Sequence, residues 1–83
     1  MNSQDHSVRL VLTCIAAASC EVRFEPEGAT ATLVEGEPIE VEVRGPGTGI
    51  VEVSYLPDGI NIVAWSGADT FAWEMKTGTR IET

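Results

Sequence analysis

Residues 39–44 read Ile-Glu-Val-Glu-Val-Arg, and this alternation of apolar and charged side chains decides the fold class. Successive side chains of a β-strand point to opposite faces of a sheet, so a period of two predicts a strand with one buried face. Ile39, Val41 and Val43 are therefore expected to face a core. Glu40, Glu42 and Arg44 are expected to face solvent, as in an antiparallel sheet.

The same pattern continues downstream of this strand. Val51, Val53 and Tyr55 alternate with polar residues, and the glycine-rich segment 45–49 predicts a hairpin between the two strands. Leu56-Pro57-Asp58-Gly59-Ile60 predicts a second tight turn, followed by a largely apolar strand over residues 60–66. Phe71, Trp73 and Met75 then form an apolar face that is expected to point into the core. Residues 79–82 are predicted to form a short last strand.

Upstream, three further segments have strand character. Residues 21–25 alternate well and end at Pro26, residues 29–34 are rich in β-formers, and residues 7–14 place Val8, Leu10 and Leu12 on one face. Turn signals recur roughly every 8–12 residues, which is typical of sandwiches and barrels. We therefore predict an all-β fold, a small antiparallel β-sandwich or barrel of about seven to eight short, mostly hairpin-connected strands. Residues 1–7 are predicted to be a flexible N-terminal tail, and residues 8–83 a single β domain.

The chain is acidic, with 13 Asp and Glu residues against 5 Lys and Arg residues and a formal net charge of −8. Such a surface repels phosphate backbones, so nucleic acid is excluded as an expected partner. A protein partner, especially a basic one, is compatible with this charge. No stretch reaches the roughly 18 apolar residues of a membrane span. The sequence is also compatible with a homodimer.

Cys14 and Cys20 allow three interpretations: buried free thiols, a local disulfide, or part of a metal site. Residues 14–20 could also form one helical turn, because Ile15-Ala16-Ala17-Ala18 favours helix.

Residues 10–19 form an apolar run that ends in Ala18-Ser19-Cys20, which resembles a bacterial lipoprotein signal. The resemblance implies export with Cys20 as the lipid-modified first residue of the mature chain. Residues 1–7 carry no Lys or Arg, however, so the location that we predict is cytoplasmic, with export as the alternative.

Catalytic and cofactor motifs are missing from the sequence. His6 is the single histidine and falls in the predicted tail, so a nucleophile has no well-placed base, and no cofactor, metal ligand set or catalytic residue is assigned. The pair Glu40 and Glu42 has a spacing near that of glycosidase carboxylates, but such pairs are also common on solvated sheets.

Two surfaces are candidates for binding. Trp65, Asn61 and Tyr55 could form an aromatic contact site. A set of carboxylates could form an acidic face, namely Glu35, Glu37, Glu40, Glu42 and Glu52. The function that we predict is a non-catalytic interaction or ligand-binding module. The alternatives are an acidic decoy of a basic protein and a small enzyme that uses carboxylates or thiols.

Overall fold

The computed structural model describes residues 5–15, 17–47 and 49–83. These residues form two four-stranded sheets that do not close into a barrel, which confirms the all-β prediction and selects the sandwich. The strands are β1 (Asp5–Leu12), β2 (Ser19–Glu25), β3 (Ala29–Val34), β4 (Ile39–Pro46), β5 (Glu52–Leu56), β6 (Gly59–Val63), β7 (Asp69–Glu74) and β8 (Arg80–Ile81).

The first sheet has the strand order β1-β4-β7-β8, and all its pairings are antiparallel. The second sheet has the order β3-β2-β6-β5. Hairpins join β2 to β3, β5 to β6 and β7 to β8, while the other connections cross between the sheets. One pairing departs from the antiparallel expectation, because β2 runs parallel to β6.

The predicted hairpin at residues 45–49 is wrong. β4 lies in the first sheet and β5 lies in the second, so the segment between them carries the chain across the sandwich. The physical reason is competition for partners: β1 and β7 take both edges of β4, which leaves no edge for β5.

The core fills the space between the two sheets. The prediction for β4 is confirmed, since Ile39, Val41 and Val43 are buried. The second sheet contributes Val22, Phe24, Leu33 and Ile62. Each fully buried side chain of this size contributes about 1.5–3 kcal/mol relative to an exposed one.

The predicted orientation of β7 is wrong. Thr70 and Ala72 face the core, whereas Phe71 and Trp73 are half-buried on the outer face opposite Glu42 and Glu40. The Phe71 ring has the guanidinium carbons of Arg44 and Arg80 at 5.3 Å from its centroid, and the Trp73 ring lies 6.3 Å away. Cation–π and stacking contacts on the outer face therefore cover these aromatic rings, in place of packing in the core.

The N-terminal boundary also differs from the prediction. β1 begins at Asp5, and residues 5–7 pair with residues 44–46 of β4, so this part of the predicted tail belongs to the sheet. The rest of that tail, residues 1–4, lies outside the described residues. Of the part of the chain that is described, no helix is long and apolar enough to cross a membrane.

Cys14 and Cys20 form a disulfide, with a Cα–Cα distance of 5.9 Å. Of the three interpretations of these cysteines, the structure therefore selects the local disulfide. The bond connects the end of β1 with the start of β2, and Cys14 is buried. The described residues between the two cysteines are not helical, and Ala16 lies outside the described residues.

Replacing both cysteines by alanine is expected to lower the free energy of unfolding by about 2 kcal/mol, because a cross-link over a short loop restricts the unfolded chain. Urea unfolding measures this difference. Reductant should shift the midpoint of the wild type to that of the Cys14→Ala/Cys20→Ala variant and leave the variant unchanged. A wild-type midpoint that is insensitive to complete reduction would contradict the prediction.

Candidate interaction surface

An open cleft of about 480 Å³ lies where the β1–β2 connection faces the turn between β5 and β6. We name it the Tyr55 cleft. Its residues are mainly apolar and include Leu12, Cys14, Ile15, Leu33, Tyr55 and Ile60. Tyr55 is 86% exposed and Ile15 is 78% exposed, so the rim of the cleft presents large apolar groups to solvent.

The exposure of Tyr55 follows from its position in the sheet. Tyr55 pairs with Ile60 and Val53 pairs with Ile62, so both point to the face of the second sheet that carries the core. β5 is an edge strand, however, and its core-facing side chains are less covered than those of β6. Ile62 on β6 is fully buried, whereas its pairing partner Val53 on β5 is 41% exposed.

The charge around the Tyr55 cleft has one sign. Asp58 is the charged residue among the described residues that line it. The β5–β6 hairpin, residues 52–63, contains Glu52 and Asp58 and no Lys or Arg. The Tyr55 cleft is therefore a mainly apolar surface with one carboxylate, and the hairpin that forms one of its walls adds no basic residue.

A second cavity, of about 530 Å³, is lined by residues of β3, the β3–β4 connection and the β7–β8 region. Four of the twelve described residues that line it are charged, namely Glu37, Glu74, Lys76 and Glu82, whereas one of those that line the Tyr55 cleft is charged. Since binding sites combine a mainly apolar wall with a few polar groups, the Tyr55 cleft fits a binding role better.

The predicted aromatic site is not assembled as one surface. Tyr55 lies on the core side of the second sheet and Asn61 on the outer side, because Asn61 follows the pairing partner of Tyr55. Trp65 lies beyond the end of β6, where its Nε1 donates a hydrogen bond of 3.1 Å to the carbonyl oxygen of Pro46. Of the three predicted residues, Tyr55 lines the cleft.

Trp65 is held between the two sheets by a close contact. A Cβ at Gly49 would overlap the indole ring of Trp65, so only glycine leaves room for this ring. The ring therefore packs the connection between β4 and β5 against the end of β6.

Gly49→Ala is expected to displace the indole and to destabilise the protein by about 1–3 kcal/mol, as overpacking does in cores. Denaturant unfolding reports the stability, and tryptophan fluorescence should shift to the red as the ring becomes exposed. Thr32→Ala, on the outer face of β3, serves as the control and should leave both signals unchanged. A Gly49→Ala protein with native stability would contradict this packing.

The predicted acidic residues are dispersed over the molecule. Glu40 and Glu42 share the outer face of β4, Glu35 and Glu37 lie between β3 and β4, and Glu52 lies in the other sheet. Basic residues neutralise the pair on β4, since Arg9 forms an ion pair with Glu40, and Arg44 with Glu42 at 3.0 Å.

Glu42 accepts a second hydrogen bond, in which the Ser7 hydroxyl donates to its Oε2 at 2.5 Å. The Ser7 hydroxyl and then the Arg44 guanidinium lower the pKa of Glu42 below the ordinary value of 4.5. The ionised carboxylate therefore adds stability that is fully present above pH 4.5 and is lost as the pH falls through the lowered folded-state pKa.

Ser7→Ala is expected to raise the pKa of Glu42 toward 4.5, because the charged form loses a hydrogen bond. Carbon-detected NMR titration of the side-chain carboxyl measures this pKa directly. Ser54→Ala, a serine removal in the other sheet, is the matched control and should not change it. A Glu42 pKa that is equal in the Ser7→Ala variant and the wild type would refute the role of Ser7.

The side chains with catalytic potential are separated or engaged. His6 is exposed in β1 opposite Gly45, and the two thiols are joined in the disulfide. Among residues 5–15, 17–47 and 49–83, no group of three or more His, Cys, Asp or Glu side chains could hold a metal ion.

Comparison with known proteins returns no family model, curated protein or solved structure that matches the chain. A function must therefore be argued from the surface itself. Tyr55 was among the residues predicted from sequence. Ile15 and Val11 were not, because the sequence gives no sign that the β1–β2 connection meets the β5–β6 turn.

Proposed function

We propose that this protein is a non-catalytic module that binds another protein through the Tyr55 cleft and the adjoining β5 strand. The observation that carries the proposal is Tyr55 itself, 86% exposed at the rim of an apolar cleft. Tyrosine is enriched at the energetic centres of protein interfaces, because its ring buries a large apolar area and its hydroxyl keeps a polar partner.

The remaining apolar residues support the same surface. Val11 is 59% exposed and lines the cleft with Tyr55 and Ile15, so exposed apolar groups from two separate parts of the chain are gathered there. Contiguous apolar surface on a small protein typically marks a site of interaction. A partner that covers these groups would gain roughly 25 cal/mol for each Å² of apolar surface removed from water.

The alternatives receive less support. A decoy for a basic protein would use clustered free carboxylates, yet Glu40 and Glu42 already contact Arg9 and Arg44. A thiol-dependent enzyme would need a free thiolate, and both cysteines are oxidised.

We propose that the binding event takes place in an oxidising compartment, rather than in the cytoplasm as predicted from the sequence. The support is the Cys14–Cys20 disulfide, since such bonds persist in secreted and periplasmic proteins and are rare in the cytosol. The proposal differs from the lipoprotein alternative, which would remove β1 and modify Cys20, because β1 pairs with β4 along its whole length and Cys20 is bonded to Cys14.

A photo-crosslinking amino acid at position 55 tests the proposed surface in cells of the natural host. We expect a discrete adduct with one protein, and we expect the purified partner to bind the wild type at least tenfold more tightly than Tyr55→Asp. The same photo-crosslinking residue at Val34, an exposed position on β3, is the matched control and should give no such adduct.

Two results would overturn the proposal. One is the absence of an adduct from position 55 while the protein is folded and expressed. The other is a purified partner whose affinity is the same for Tyr55→Asp and the wild type.

A further inference from the structure

We infer that the partner is an extended segment that adds to the free edge of β5 as a further strand, with apolar and basic side chains in alternation. This inference rests on the proposed function and names the chemistry of the partner at the same site. Three features carry it: the unpaired edge of β5, the two-faced character of this strand, and the charge of the hairpin.

The first feature is the backbone of β5. Among residues 5–15, 17–47 and 49–83, β5 is the last strand of the second sheet and pairs only with β6, so within this part of the chain the backbone N–H and C=O groups on its other side have no strand partner. An edge of this kind is the template for strand addition, in which the main chain provides hydrogen bonds and alternate side chains provide specificity.

The second feature is the arrangement of side chains along β5. Val53 and Tyr55 point to the core side, where the sandwich is uncovered, and Glu52 and Ser54 point to the outer side. A strand placed beside β5 continues both faces. Its side chains on the core side would pack against Val53 and Tyr55, while those on the outer side would lie near Glu52.

The third feature is charge. The hairpin of residues 52–63 holds two carboxylates and no basic residue, and the whole chain carries a net charge of −8. Opposite charges on neighbouring strands attract, so basic side chains are favoured on the outer face of the added strand. A second copy of this chain is disfavoured as the occupant. It would place Glu52 near the Glu52 of the other copy and bring together two chains that each carry a net charge of −8, so the two copies would repel each other.

A capped nine-residue peptide of alternating valine and lysine is the probe. In nitrogen-15 NMR titrations of the full chain, we expect saturable shifts along β5 and slower hydrogen exchange of its amides. Three controls separate the contributions: a scrambled peptide, a peptide N-methylated on its central residues, and a peptide with glutamate for lysine. We expect the first two to bind at least tenfold more weakly and the third to show no saturable binding.

Matched protein variants locate the contact. Val53→Lys, which places a charge on the core side of β5, should weaken the alternating peptide at least tenfold. Val34→Lys, an equivalent change at an exposed valine of β3, should leave its affinity unchanged.

The inference is overturned if the scrambled peptide binds equally well, if the shifts centre on Glu40 and Glu42, or if the free chain dimerises through β5. Its failure is distinct from failure of the proposed function. A defined adduct from position 55 without peptide binding would retain the interaction module and remove strand addition, whereas loss of the adduct would remove the module.

Discussion

The parallel pairing of β2 with β6 is the one link, in the described part of the chain, between the β2–β3 and β5–β6 hairpins within their sheet. It places Val22 beside Ile60 and Phe24 beside Ile62, and Val22, Phe24 and Ile62 are completely buried. Backbone hydrogen bonds from Glu21 to Asp58 and from Ala64 to Glu25, each 3.2 Å, extend the pairing at both ends. In a chain of 83 residues the core is thin, so the opposing sheet depends on this buried surface for its packing.

The same pairing determines which surface remains open. Because β6 uses one edge for β2, its other edge binds β5, and β5 becomes the end of the sheet. The core-facing residues of β5 then extend beyond the region that the first sheet covers. The exposed Tyr55, the apolar cleft and the unpaired backbone edge are therefore consequences of one strand order, and together they form the proposed binding surface.

Local sequence patterns correctly predicted the structural features that depend on residues close together in the chain. The alternation in residues 39–44 gave the buried face of β4, and Leu56-Pro57-Asp58-Gly59 gave the β5–β6 turn. The predicted orientation of β7 was wrong because both of its faces carry apolar groups, and Arg44 on β4 and Arg80 on β8 cover Phe71 on the outer face. The parallel pairing and the residues of the Tyr55 cleft other than Tyr55 require contacts that local alternation does not encode.

Residue-resolved amide hydrogen exchange of the free protein tests the central claim, that β2 and β6 form the stable centre and β5 an open edge. The account predicts continuous protection along β2 and β6, and protection of alternate amides only along β5, since its outward N–H groups meet water. Uniform slow exchange along β5, equal to that of β6, would mean that this edge is already covered and would contradict the account.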